Sequence, residues 1–273
     1  MSFQTYIPQP PLSGFVSMLW LHREELARPN AKERILPTGA PGLVVNLWED
    51  DIRLYDREDT GRVQRSHGAV ITGAFSEHIV IDTAEQQWVM GVIFKAGGAF
   101  PFLKMPASEL HNAQIPLDAV WGGRVSTLRE RLLDAPTPAG KFRALERVLL
   151  DQAVRNLERH PAVRFALREF LHVPQARTIS DVTGQLGLSA RRFIQIFSEQ
   201  VGLTPKLFCR VRRFQEVLRL VARGRVDWTE IALSCGYFDQ AHFNRDFRAF
   251  SGLNPSAYLA QRTEHQNHVT ILD

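Results

Sequence analysis

The chain has 273 residues, 33 Lys/Arg against 29 Asp/Glu for a formal net charge of +4, and 2 cysteines. Two thiols in a chain of this length make neither a disulfide framework nor a Cys-rich zinc site. No apolar stretch approaches the roughly 18 residues that a membrane helix needs, and MSFQTYIPQP lacks the start of a signal peptide, so the reading is a cytoplasmic protein of two domains with no membrane partner.

Short β-branched and aromatic runs come first: LVVNLW (43–48), IRLY (52–55), AVIT (69–72), HIVID (78–82) and WVMGVIF (88–94). Gly, Asp and Glu clusters separate them at hairpin spacing, which predicts a small antiparallel sheet or barrel. From Gly97 onward the period changes, and 98–104, 117–133 and 139–159 read as helical. The prolines at 136 and 138 separate two of these segments, and a second boundary falls near Arg159-His160-Pro161. The expected division is an N-terminal domain over 1–158, a helical domain over 159–262, and a polar, frayed tail over 263–273.

Charge follows this division. Residues 1–160 hold 18 Lys/Arg and 19 Asp/Glu, residues 161–262 hold 15 and 8, and the tail adds two acids. The basic surplus therefore sits in the helical domain, as expected of a module that binds a polyanion.

That domain contains one pattern twice. Phe193 and Phe197, then Gly202 and Pro205, are matched by Phe243 and Phe247, then Gly252 and Pro255. Such a repeat marks one supersecondary unit used twice. In the first unit (179–202) Ile179, Val182 and Leu186 form one apolar face, Gly187 supplies the turn, and Ser189 caps the next helix. Phe193, Ile196 and Phe197 point inward, leaving Arg191, Arg192, Gln195 and Ser198 on the opposite face. In the second unit (228–252) Trp228, Ile231 and Ala232 precede Gly236 and the cap Asp239. Phe243, Phe247 and Phe250 face the core, while Gln240, His242, Asn244, Arg245 and Arg248 lie outward or at the rim. Between the units a helix starting at Pro205 runs to about Gly224, and 17 or so residues span roughly 25 Å. Each unit reads as a helix-turn-helix, whose second helix presents donors and acceptors to base edges in the major groove.

These residues resemble the DNA-binding domain of AraC/XylS-type transcription regulators. The likeness rests on LGLSARRFIQIFSEQVGLTPKLF and IALSCGYFDQAHFNRDFRAFSGLNPSAY. It implies that Arg191 and Gln195 contact bases in the first unit, and Gln240, Ala241, His242, Asn244 and Arg245 in the second. Thr183 departs from the pattern by standing where the family has a small Ala, and Gly184 follows it within the helix. The first unit is therefore expected to grip more weakly. The N-terminal part also resembles the cupin-like β domain found before such domains, through RILPTGAPGLVVNL, ITGAF and GVIFKAGGAFPFL. This implies a sensor or dimerisation unit and an α+β chain overall. The partners named by this reading are double-stranded DNA, RNA polymerase, a small-molecule effector and a second copy of the chain; no cofactor is among them.

Within the N-terminal part His67, His78 and His111 invite a metal hypothesis, but they lack ligand spacing and read as surface or core residues. Trp20, Trp48, Trp88 and Trp121 read as packing residues sooner than as the wall of a pocket. No nucleophile arrangement or phosphate loop is present, so an enzyme is not expected. Cys209 and Cys235 are expected to be small buried hydrophobes and not reactive thiols.

Overall fold

The β-branched runs of the N-terminal part pair into two antiparallel sheets. The structure, a computed structural model, describes residues 2–24, 32–123, 125–172, 179–224 and 226–271. Its strands are β1 (Ser2–Tyr6), β2 (Val16–Arg23), β3 (Lys32–Ile35), β4 (Gly42–Asn46), β5 (Ile52–Tyr55), β6 (Val63–Ser66), β7 (Ala69–Thr72), β8 (Ile79–Asp82), β9 (Trp88–Phe94), β10 (Gln114–Pro116) and β11 (His268–Thr270). The larger sheet runs β1-β2-β9-β4-β7-β10 and the smaller β11-β3-β8-β5-β6. The expected small antiparallel β domain is thus present, with more strands than the apolar runs announced.

Alternation along the central strands of the larger sheet puts Leu19, Leu21, Leu43, Val45, Met90, Val92 and Phe94 in one apolar core. Helices α1 (Leu117–Trp121), α2 (Val125–Asp134) and α3 (Pro138–Gln152) cover it with Leu117, Val120, Leu128, Leu145 and Leu149. Three helical expectations need correction here. Segment 98–104 holds only a 3-10 turn at Phe100–Phe102. Segment 117–133 is broken at Gly122, whose φ of 74° suits glycine. The helix expected over 139–159 ends at Gln152, and the Val154 amide donates to the Pro101 carbonyl instead.

The helical domain follows the repeat closely. Its elements are α4 (Pro161–His172), α5 (Ile179–Leu186), α6 (Ala190–Val201), α7 (Pro205–Val221), α8 (Trp228–Ser234), α9 (Gln240–Ser251) and α10 (Pro255–Gln261). Each member of the repeated pattern has one physical role. The phenylalanine pairs pack ring on ring, with centroids 5.7 Å apart in both units. Gly202 (φ 89°) and Gly252 (φ 72°) end α6 and α9 in the left-handed region. Pro205 and Pro255 open the next helices behind the caps Thr204 and Asn254. Cys235 is fully buried and Cys209 half-buried; burial pushes both thiols up to about 11, so neither is a thiolate at neutral pH. Ile179's side chain lies outside the described residues.

The tail from Thr263 does not fray. Val269 is fully buried, β11 pairs with β3, and the Leu36 and Ile271 amides donate to the Asn267 and Lys32 carbonyls. Tyr258 of α10 donates to the Gln266 carbonyl, while Gln215 of α7 donates to Pro37 O and Asn267 Oδ1, both at 2.9 Å. Burying Val269 and satisfying these polar groups offsets the ordering entropy that a free polar tail would keep. Because β11 joins an N-terminal sheet, the chain's last described strand ties the two parts together. Leu36 and Ala74 share the helical core, and a Cβ on Gly39 would lie 3.2 Å from Val211.

Candidate nucleic-acid interface

Both recognition helices, α6 and α9, start at a side-chain cap. Ser189 Oγ accepts from the Arg192 amide at 3.3 Å, and Asp239 Oδ1 accepts from the His242 amide at 2.6 Å. The preceding turns need φ > 0 and have it at Gly187 (62°) and Gly236 (73°). With the phenylalanines buried, helical spacing leaves Arg191, Arg192 and Gln195 exposed on α6, and Gln240, Ala241, Asn244 and Arg245 exposed on α9. Arg192 donates to Gln195 Oε1 at 3.2 Å, which orients that carboxamide.

His242 differs from the other six residues expected to face DNA. Its ring is half-buried and sits edge-on to Tyr237, centroids 5.2 Å apart, with Nε2 3.9 Å from Asp246 Oδ2. Its side chain braces the helix against the turn.

Two arginines of α7 fasten the second unit, and neither stood out in the sequence. Arg210 donates to the buried Asp246 carboxylate at 2.7 Å and lies over the Phe250 ring. Arg213 donates to the Gly236 carbonyl at 3.0 Å with its guanidinium over Tyr237. Burial, then the Asp246 carboxylate, raise the Tyr237 hydroxyl well above its ordinary range. Arg210 and Arg213 stand three apart beside Phe214 and Val217 of the same helix, and that spacing is the signal available in the sequence.

The first unit instead leans on the N-terminal part. A Cβ on Gly202 would lie 3.2 Å from the Ala107 carbonyl, and one on Gly97 would lie 3.6 Å from Val201 at the end of α6. Thr183, in the small position of the unit, is buried and donates its hydroxyl to the Ser180 carbonyl at 3.1 Å.

The N-terminal candidates do not converge. His67 is exposed, His111 bonds Ser76 at 2.9 Å, and His78 faces the helical domain. No group of three His, Cys, Asp or Glu side chains among the described residues is placed to hold a metal. Trp48 is exposed, Trp121 donates to the Phe102 carbonyl, and Arg23 and Lys141 each lie over the Trp88 ring. Trp20 covers Gly91, where a Cβ would meet its ring at 2.4 Å.

A cleft of about 420 Å³ does open beside β5, β6 and β8, lined by Tyr55, Arg57, Arg62, Phe75, His78 and Asn112 among others. Arg57 is ion-paired with Glu77. Burial, then Arg34 and Arg57, lower His78 to about 4, so its imidazole is neutral, and its buried Nδ1 has no hydrogen-bond partner. The same ring meets Gly252 at the end of α9: an added Cβ would lie 2.6 Å from Cε1. One wall of the cleft therefore touches the second recognition helix.

Comparison with known proteins divides the chain in the same way. A helix-turn-helix domain family matches residues 182–261, and a domain of unknown function (DUF6597) matches 4–116. An uncharacterized HTH-type transcriptional regulator of Haemophilus influenzae is 28% identical over 116 residues, 42% of this chain and 39% of that one. The arabinose operon regulatory protein of Escherichia coli K12 is 26% identical over 93 residues, 34% of this chain and 32% of that one. The helical part is an AraC/XylS-type DNA-binding domain. The match spans about two-fifths or less of these regulators' own length and places the AraC-type domain alone. Over 95% of this chain and 98% of that one, ToxT from Vibrio cholerae aligns with a TM-score of 0.47 at 10% identity. No helix among the described residues is long and apolar enough to cross a membrane.

Proposed function

We propose that this protein is a cytoplasmic, sequence-specific transcription regulator that reads two successive major-groove segments of double-stranded DNA. The carrying observation is the pair of recognition helices with matched caps and exposed polar faces. Arg191 and Gln195 read bases from α6, and Gln240, Asn244 and Arg245 from α9, with Ala241 offering an apolar contact. His242 positions α9 through Tyr237 and Asp246. Exposed arginines and the helix-start amides hold phosphates.

The N-terminal part supplies the signal. The cleft beside β5, β6 and β8 suits a small molecule with a polar group for the Arg57–Glu77 pair and an apolar body for Phe75 and Ile79. Its contact through His78 with Gly252 gives the bound state a route to α9. A ligand of this class is expected to raise the unfolding midpoint of the full chain, and Arg57→Ala is expected to abolish the rise.

The DNA reading is tested on a duplex selected from a random pool by the full chain. Arg191→Ala and Arg245→Ala should each cost about 1–3 kcal/mol of specific binding and relax preference at one position. Wild-type affinity and preference in both variants would show the assignment to be wrong.

A further inference from the structure

The two units differ by one residue, and that residue is exposed. Counting from the start of α5 and of α8, both turn glycines come at the same distance, Ile179 to Gly187 and Trp228 to Gly236. The cap then follows two residues later in the first unit (Ser189) and three later in the second (Asp239). In the first unit Leu188 packs against the helical core. In the second unit Tyr237 takes over that packing, 3% exposed and with its ring 5.3 Å from Phe243. The additional residue is Phe238, and it is 88% exposed.

A residue just before a helix cap ordinarily folds back onto the fourth helical residue. Here that residue is Phe243, already covered by Tyr237. Phe238 is thereby released from packing and left exposed one residue ahead of the cap of the helix that carries the exposed Gln240, Ala241, Asn244 and Arg245. A recognition helix enters the major groove by its N-terminal end, so a side chain just ahead of the cap arrives with the base-reading residues. The one apolar group displayed in that groove is the C5-methyl of thymine.

We propose that Phe238 is a further specificity-determining residue, which recognises a thymine methyl group in the segment read by α9. The inference rests on the DNA reading above. Its affinity comes from withdrawing the ring and the methyl from water, so it discriminates thymine without a hydrogen bond and without a phosphate contact.

The test uses the full chain and the selected duplex. Phe238→Ala should weaken binding by about fourfold to tenfold, as for the loss of one apolar contact. Phe238→Leu should keep most of the affinity. Replacing one thymine by deoxyuridine, which removes only the methyl, should reproduce the loss for the unchanged protein and add nothing to Phe238→Ala. The salt dependence of binding should not move, because no phosphate contact is lost. Full affinity in Phe238→Ala would overturn the inference, and so would an equal loss on thymine and deoxyuridine duplexes at every position. A side chain serving a protein partner would give the first of these results. If Arg245→Ala binds normally as well, the DNA reading fails; if Arg245→Ala weakens binding and Phe238→Ala does not, only the role of Phe238 fails.

Discussion

Gly252→Ala tests the contact between the N-terminal cleft and the second recognition helix. The substitution meets two obstacles. At φ 72° an alanine sits in the left-handed region, at about 1–2 kcal/mol. Its Cβ would also lie 2.6 Å from His78 Cε1 and 3.1 Å from Nδ1, and overpacking of this kind costs about 1–3 kcal/mol. The expected loss in urea unfolding of the full chain is therefore about 3 kcal/mol. Only the second contribution involves His78. In a His78→Ala background the loss should fall to the backbone part alone, giving an interaction energy of about 2 kcal/mol in a double-mutant cycle. Gly202→Ala is the internal control. Its φ is 89° and its neighbours are the Ala107 carbonyl and Ala74, so His78→Ala should leave its cost unchanged. Additivity of Gly252→Ala and His78→Ala within about 0.5 kcal/mol would refute the contact.

Acid should act on the same residue. His78 is lowered to about 4 from 6.5 by burial and by Arg34 and Arg57. The unfolded chain thus takes up the proton first, and its share of stability, full above pH 6.5, is lost as pH falls toward 4. After discounting for solvent screening this share is about 2 kcal/mol, and urea midpoints of His78→Gln should lack it. Gly184→Ala should stabilise the chain by about 0.5–1 kcal/mol, since a Cβ there meets open space within the first unit's supporting helix; an unchanged or lower Tm counts against this. Val269→Asp puts an unpaired carboxylate in a fully buried position. The Leu36 and Ile271 amides, bonded across the β3–β11 pair, should then lose hydrogen-exchange protection, and retained protection would show that the strand stays docked.

The recognition helices were legible because everything that sets them is local. Caps, turn glycines, prolines and the phenylalanine spacing act within one unit, and helical geometry then dictates which polar residues face out. Long-range pairing leaves no such local trace. β6 (Val63–Ser66) is mostly exposed and β1 (Ser2–Tyr6) almost wholly so, hence neither carries an apolar run. β11 is a three-residue strand in a polar tail, and its partner β3 lies more than 230 positions earlier. The arginines of α7 stay hidden for a related reason: Arg210 and Asp246 are 36 residues apart, and nothing near either one marks the other. His242 stands at the rim of the same face, where the Tyr237 ring and the buried Asp246 carboxylate flank its half-buried imidazole.

β3 ends with a partner on each side, β8 and β11. During synthesis only β8 is available at first, so the four backbone positions of Lys32–Ile35 face solvent as a sheet margin until residues 268–270 emerge. Unpaired margins invite pairing with other chains. An isolated N-terminal half would keep that margin open permanently, and it should self-associate more than the full chain does. β3 is therefore an interior strand only in a chain that carries its DNA-binding half, which leaves the three-residue β11 as the margin.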